Sequence, residues 1–399
     1  MFFSLVMLLI ANSMNNTVDT FIALLRSAII GTNENIDLLD VNYEALYSLA
    51  IFHDLAHIVY YELKQRGFLH EGEIARKFEY QKNMAQYRYV LREVAIEQVR
   101  SIFEEAKIPF VLLKGAMLMN LYPEPWMRTS SDIDVLVKEE DLSNAENALI
   151  CFGMKRDHEG RYDVSFFSKE KYHIELHYTM LEDYTSDKIC NVMKKAWNYF
   201  EPIKSGASEY VMRDELFYFY HIAHMAKHFK NGGNGVRTVI DLWLLNHKIA
   251  FDQSKRVQLI TEGDLATFND KMVKLLEKWF SKNESIDHLD TLEEYIIQGG
   301  IYGTTERKIA ITRKKAGNRL TYYINRAFPP YSILKHAFPV LKRFPFLIPF
   351  GWIIRWFKLL NPTTRRRTSK EIMIEQSVDK AENGKTKKIE MLMKELEIW

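Results

Sequence analysis

The sequence predicts an α+β protein in which a small α/β core is embedded between predominantly helical regions. Strand-like apolar runs are confined to the stretch from 109 to 178. Before and after it, apolar residues recur three and four positions apart, which is typical of amphipathic helices. With 399 residues, 47% of them hydrophobic, the chain is long enough for two or three domains around a sizeable core.

These patterns divide the chain into six segments. They are an N-terminal extension (1–13), a helical lead-in (14–107), the α/β core (108–185), a helical domain (186–320), an arm rich in proline, aromatic and basic residues (321–360) and a charged C-terminal helix (361–399). The apolar opening lacks the basic start of a signal peptide and is too short to span a bilayer. We expect translation to begin at Met14, with a membrane-targeting segment as the alternative.

The lead-in carries the helical pattern most clearly in its last third. Residues 73–107 contain neither Pro nor Gly, so they predict one long helix. Pro109 then marks the change to strands, because proline disfavours a helical residue before it. We predict strands at 110–113 and 133–137, a helix at 141–152 ending at Gly153, and strands near 164–168 and 172–178.

Two aspartates open the second predicted strand. Side chains alternate along a strand, so Asp132 and Asp134 share one face while Ile133 and Val135 face the other way. Carboxylates about 6 to 7 Å apart repel each other unless a cation lies between them. Oxygen ligands of this kind suit Mg²⁺. The repulsion also predicts that Asp134→Asn leaves the fold intact, with stability unchanged or slightly higher when no metal is present.

Several short motifs in this core carry a family resemblance. They are Lys114-Gly115, Tyr122-Pro123, Arg128 and the run from Ser131 to Val137. Together they resemble the bacterial uncharacterised nucleotidyltransferase family, part of the DNA polymerase β-like superfamily. That superfamily has a Gly-Ser turn, Asp-x-Asp on the next strand and a third carboxylate on a later strand. Here Ala116 stands where the serine is expected, and the resemblance extends over roughly 14–360.

The resemblance implies a polymerase β-like core over 108–185 and a catalytic carboxylate set. Asp132 and Asp134 would bridge two Mg²⁺ ions, with Mn²⁺ as a substitute, and Glu175 would be the third ligand and help to take the proton of the acceptor hydroxyl. His173 and His177 alternate with Glu175 on one strand face. We expect these histidines to flank the carboxylate and form hydrogen bonds to nearby groups; a zinc site is the alternative.

The same resemblance implies which residues bind the nucleotide. Lys114 and Arg128 would add positive charge near the triphosphate, and Gly115 would let backbone N–H groups approach the phosphates. Without the resemblance, Lys114-Gly115 fits an ordinary turn at a strand end equally well.

A histidine-rich helical segment follows the core. His221, His224 and His228 fall on one helix face, and a glycine-rich break leads from them to Arg237. His224, His228 and Arg237 either face the cleft and contact the nucleotide or acceptor, or form an interface between the helices and the core.

Charge and cysteine content bear on the partners and the cellular compartment of the protein. The net charge of +2 gives no overall field that attracts nucleic acid, so no specific nucleic-acid partner is expected. Cys151 and Cys190 are predicted to be unpaired core residues in a reducing compartment. We expect a cytoplasmic protein. The aromatic and basic stretch 328–358 could lie on a membrane surface, or wrap around the protein as an arm.

The resemblance implies a Mg²⁺-dependent nucleotidyltransferase that uses an NTP, with ATP as the expected donor. The acceptor, whether a small molecule, a sugar or a protein, cannot be read from the sequence. The alternative is a catalytically silent nucleotide-binding partner or sensor, which Ala116 favours and the three carboxylates oppose.

Overall fold

The computed structural model describes residues 2–398 except 33, 39–40, 70, 185, 283–285, 287–288, 302, 316, 318, 332–333, 335–337, 339 and 359–386. At 2–15, 305–306, 310, 314–315, 319, 342 and 358 it describes the backbone alone. The lead-in helices are α1 (Phe2–Ile30), α2 (Tyr43–Phe52), α3 (Ala56–Gln65) and α4 (Glu73–Glu105). The uninterrupted α4 confirms the long helix expected there, and α1 runs through residue 13 without a break.

A mixed sheet of seven strands follows, in the spatial order β3-β4-β5-β2-β1-β7-β6. The strands are β1 (Phe110–Leu112), β2 (Asp132–Val137), β3 (Lys155–Glu159), β4 (Asp163–Phe167), β5 (His173–His177), β6 (Phe200–Pro202) and β7 (Glu209–Met212). β2 is parallel to β5 and antiparallel to β1, while β1 is parallel to β7. Between them lie the short helix α5 (Gly115–Leu118) and α6 (Leu142–Phe152). The predicted α+β fold class is confirmed.

Three strands have no counterpart among the predicted ones. β3 is charged and mostly exposed at the sheet edge, so it lacks the alternating apolar pattern. β6 and β7 have three and four residues, too few to show a period of two. Both follow residue 185, so the sheet extends past the predicted end of the core into the segment predicted to be helical.

One face of the sheet is covered by α4 and α6. Ile133, Val135 and Val137 of β2 belong to this apolar cluster. Each is buried, which stabilises the fold by roughly 1.5 to 3 kcal/mol per side chain. The predicted alternation is confirmed, because Asp132 and Asp134 are left on the opposite face of β2.

The second, larger part of the core is formed by the lead-in helices together with α7 (Asp187–Met193), α8 (Asp214–Lys230), α9 (Val236–Lys248), α10 (Gln253–Glu262), α11 (Ala266–Phe280) and α12 (Asp290–Ile297). Four more helices come later in the chain: α13 (Thr305–Lys315), α14 (Arg319–Ala327), α15 (Val340–Arg343) and α16 (Ile348–Lys358). A last helix over 387–395 contributes Leu392 and Met393 to the core formed with the lead-in helices. Most of the predicted segment 361–399 lies outside the described residues. Among the described helices, none is long and apolar enough to cross a membrane.

The cysteines are free, as expected, but Cys151 is not a core residue. Cys151 is exposed and Cys190 is partly buried. α6 turns Ala145 and Leu149 toward the sheet, and Cys151 lies outside that apolar stripe. The core assignment was therefore wrong for Cys151.

Candidate functional site

The parallel register of β2 and β5 brings the predicted carboxylates together. Asp132 lies opposite His173, and Asp134 lies opposite Glu175. Two sets of ligand atoms result, each within 4.8 Å of one another: Asp132 with His173 and Glu175, and Asp134 with Glu175 and His177. Glu175 belongs to both sets, so it lies between the two aspartates as a shared ligand.

Asp134 is surrounded by positive charge. Its Oδ1 lies 3.3 Å from Nζ of Lys114 and 3.0 Å from Nε2 of His177. Burial would raise the pKa of Asp134, but Lys114 and His177 hold it below its usual range. Burial would lower the pKa of His177, but its hydrogen bonds to Asp134 and Glu175 raise it to about 9. His177 is therefore protonated at neutral pH and donates Nε2–H to Asp134, as expected for a histidine beside the carboxylates.

Asp132 has a different environment. Ser130 donates its hydroxyl to Oδ1 of Asp132 at 2.8 Å. Burial and the negative charge of Asp134 raise the pKa of Asp132. The interaction with His177, 3.6 Å from Oε2, lowers the pKa of Glu175. Asp132 is thus the carboxylate that a bound cation would stabilise most, since protein cations already face Asp134.

The turn from β1 into α5 is strained and tightly packed. Lys114 has φ of +41°, a conformation that residues with a side chain rarely adopt. A Cβ on Gly115 would lie 3.3 Å from Ser130 Oγ and 3.6 Å from Arg128 Nη1. The glycine therefore lets this turn approach the loop before β2. It also brings the hydroxyl of Ser130 beside the turn where Ala116 has none.

Lys114 has a second carboxylate partner that the sequence did not reveal. Its Nζ lies 3.8 Å from Glu182, and Lys227 of α8 also forms an ion pair with Glu182. Burial would lower the pKa of Lys114, but the charge on Asp134 raises it well above its usual value. Glu182 follows β5 in a loop, and no spacing connects it with a lysine 68 residues earlier. Only the folded chain could identify it.

The predicted phosphate-binding Arg128 is held by a carboxylate. Its guanidinium contacts both oxygens of Asp241 on α9, with Nε to Oδ1 at 3.0 Å and Nη2 to Oδ2 at 3.1 Å. Asp241 is fully buried and also accepts the Tyr122 hydroxyl at 2.7 Å. The charge on Arg128 is therefore already balanced, although Nη1 remains beside Gly115.

Arg237, also predicted to contact the ligand, reaches the loop 128–130 that precedes β2. Its Nη1 lies 3.2 Å from Asp54 Oδ2 and from the carbonyl oxygen of Thr129. Buried Arg92 donates to the carbonyl of Arg128 at 3.0 Å, and Tyr172 donates to that of Ser130 at 2.9 Å. These contacts fix the loop 128–130, which places Asp132 at the start of β2.

The histidines of α8 were expected either to face the cleft or to form an interface between helices, and they do not all lie in the same surroundings. His221 lies 3.2 Å from the carbonyl of Thr238 on α9, which makes it an interface residue. His224 and His228 approach each other at 3.2 Å between their Nε2 atoms. Burial and the charge of Lys114 hold the pKa of His224 well below its usual value, and burial and the charge of Lys227 lower the pKa of His228 to about 4. Both rings are neutral and lie on the side of α8 near Lys114.

Comparison with known proteins agrees with this arrangement. A family model described as an uncharacterised nucleotidyltransferase matches residues 40–281, more than half of the chain. The matched part contains the whole sheet, the Lys114 turn, the carboxylates and the histidine helix. Comparisons with curated proteins and with solved structures gave no match. The family expected from the sequence is confirmed: the chain belongs to the uncharacterised nucleotidyltransferases.

Proposed function

We propose that the protein transfers a nucleoside monophosphate from an NTP to an acceptor, with divalent metal ions held by Asp132, Asp134 and Glu175. One observation carries the proposal. Asp134 and Glu175 lie side by side on parallel strands, with Asp132 on the same face, so Glu175 brings a carboxylate oxygen within 4.8 Å of a carboxylate oxygen of each aspartate. Two ions in such a site would make the α-phosphorus electrophilic, activate the acceptor hydroxyl and stabilise the leaving pyrophosphate.

The donor chemistry fits a hard divalent cation. Three carboxylates offer oxygen ligands, which suit Mg²⁺ or Mn²⁺. His177 Nε2 lies 3.0 Å from Asp134 Oδ1 and 3.6 Å from Glu175 Oε2, so its proposed role is to position these carboxylates. Glu175, shared between the two sets, is positioned to accept a proton from an acceptor hydroxyl.

Lys114, Gly115 and Arg128 are the proposed triphosphate contacts. An incoming phosphate would compete with Asp134 and Glu182 for the ammonium group of Lys114. Ser130, beside Gly115, would supply the hydroxyl that Ala116 lacks. We further propose that His224, His228 and Arg237 border the nucleotide or acceptor, and that ATP is the donor. The neutral imidazoles suit contacts with uncharged groups.

The test is incubation with each α-labelled NTP, Mg²⁺ or Mn²⁺, and a cell extract, followed by identification of whatever becomes labelled. Wild type should label a product, and Asp134→Asn should label none because one ligand charge is lost. Asp157→Asn changes an exposed aspartate of the same sheet and should retain activity. A wild-type protein that shows neither labelling nor an NTP- and metal-dependent thermal shift would refute the proposal.

A nucleotide-binding protein that does not catalyse transfer is the second candidate. Two observations favour it: Ala116 replaces the expected serine, and Lys114 and His177 already provide Asp134 with positive charge. This candidate predicts a thermal shift with NTP that is equally large without metal, and no labelled product. Metal-dependent binding together with labelling would exclude it.

A further inference from the structure

The chain concentrates its positive charge in one segment. Residues 307–358 contain twelve Lys or Arg and neither Asp nor Glu. Since the whole chain has a net charge of +2, the rest carries a net charge of −10. A small overall charge therefore conceals a strongly basic region, which attracts anionic surfaces over a Debye length of about 8 Å at physiological salt.

Within this segment, α16 presents an apolar stripe to solvent. Phe350, Ile353, Ile354 and Phe357 recur at i, i+3, i+4 and i+7, the spacing of one helix face. Their side chains are 61%, 43%, 48% and 65% exposed, and Phe346 just before the helix is 75% exposed. Four large apolar residues on one face exceed the scattered apolar exposure that is usual on soluble proteins.

A second exposed stripe lies on α14, at Leu320, Tyr323 and Ile324. The two helices are joined by defined contacts. The indole N–H of Trp352 donates to the carbonyl of Pro329 at 2.9 Å, and that of Trp356 donates to the carbonyl of Ala327 at 3.0 Å. The C-terminal end of α14 and the residues just after it are thus bonded to α16, so the two stripes belong to one structural unit.

We propose that this unit docks the protein on an anionic phospholipid membrane, with the stripe of α16 in the interfacial region and the cations toward the headgroups. The positive charge of residues 307–358 complements the negative charge of the lipid headgroups, and this complementarity identifies an anionic membrane as the partner. The helix has 11 residues, about 16 Å in length, which is shorter than the hydrocarbon core of about 30 Å, so it lies in the interface plane.

Nucleic acid is also negatively charged and would complement the basic segment, but it would not match the exposed apolar surface. Bases stack on aromatic rings, whereas Ile353, Ile354 and Leu320 are aliphatic. Aliphatic and aromatic residues together are typical of a helix that enters a lipid interface. The docking surface does not depend on the transfer reaction proposed above.

The test is co-sedimentation of the full chain with vesicles of phosphatidylcholine alone and of phosphatidylcholine mixed with phosphatidylglycerol. We expect binding at least about tenfold tighter to the anionic vesicles, and loss of that difference at high salt. The combined substitution Phe346→Ala, Phe350→Ala and Phe357→Ala should weaken binding about a hundredfold or more. Tyr80→Ala, at an equally exposed aromatic residue of α4, is the matched control and should bind like wild type.

Three outcomes would overturn the proposal. They are equal binding to both kinds of vesicle or to neither, binding of single-stranded RNA without binding of vesicles, and a lipid-free dimer that the triple variant converts to a monomer. The comparison of vesicle compositions uses wild-type protein, so it decides the question even if the triple variant does not fold.

Discussion

Asp134 combines a proposed catalytic role with a structural one. It is buried, and Lys114 and His177 both contact its Oδ1. The sequence suggested that repulsion from Asp132 dominates, so that Asp134→Asn would be neutral or stabilising without metal. The structure indicates the opposite, a loss of stability, because the substitution leaves two cations facing a neutral amide.

We therefore expect Asp134→Asn to lose all transfer activity and also to lower the free energy of unfolding by about 1 to 3 kcal/mol without metal. The pKa of His177 should fall below its value of about 9, because its main acceptor has lost its charge. Thermal unfolding and a titration of the His177 ring measure the two effects. A more stable variant with an unchanged His177 pKa would show that repulsion from Asp132 dominates after all.

Gly115 offers a test of the turn that leads into α5. An added methyl group would meet Ser130 Oγ at 3.3 Å and Arg128 Nη1 at 3.6 Å, so Ser130 must shift by a few tenths of an ångström. Gly115→Ala should therefore weaken NTP binding several-fold and change the melting temperature little. Isothermal titration with each NTP and metal measures the affinity.

Gly72→Ala is the matched control, because nothing lies within 4 Å of its added methyl group and its φ of 163° is extended. It should bind NTP like wild type. Equal affinity for Gly115→Ala would place the triphosphate away from this turn.

At the scale of elements, one buried ion pair joins the loop before β2 to α9. Asp241 is fully buried and faces Arg128, so removing either charge leaves its partner unpaired. Asp241→Asn should lower the free energy of unfolding by about 3 to 5 kcal/mol. The double variant with Arg128→Met should be less destabilised than the sum of the two single variants, since it leaves no isolated charge.

Chemical unfolding of the two single variants and the double variant gives the coupling energy. Additive effects would show that Arg128 and Asp241 do not stabilise each other. The buried Tyr122 hydroxyl retains an acceptor in the Asn variant, so its hydrogen bond is not the quantity measured.

At the scale of the molecule, His53 connects the lead-in with the helical domain. Its Nε2 lies 3.0 Å from the carbonyl of Ile297, and its Nδ1 accepts the backbone N–H of Val236 at 3.4 Å. A ring that both donates and accepts is neutral. Burial lowers its pKa from 6.5 to about 4.

The unfolded chain therefore binds a proton at His53 between pH 6.5 and 4 that the folded chain does not. Stability from this group is complete above pH 6.5 and is lost as the pH falls toward 4, by about 3 kcal/mol in total. Unfolding free energies of wild type and His53→Gln over this range isolate the effect, since glutamine does not titrate. Their difference should shrink toward pH 4; a constant difference would contradict it.

The sequence by itself determined the fold class, the family and the faces of single strands. The alternation in Asp132-Ile133-Asp134-Val135 depends only on the period of a strand, so the aspartates and their apolar neighbours could be assigned to opposite faces. Helices such as α4 could be assigned because their pattern extends over 33 residues. These signals are local, and local geometry suffices to interpret them.

Only the tertiary structure decided which residues meet. The parallel register that brings Asp134 beside Glu175 joins strands that are separated by two other strands and a helix. The pairs of Lys114 with Glu182 and of Arg128 with Asp241 connect residues 68 and 113 positions apart. No spacing in the chain encodes such contacts. The charged edge strand β3 and the short strands β6 and β7 likewise exist because neighbouring strands supply their hydrogen-bond partners.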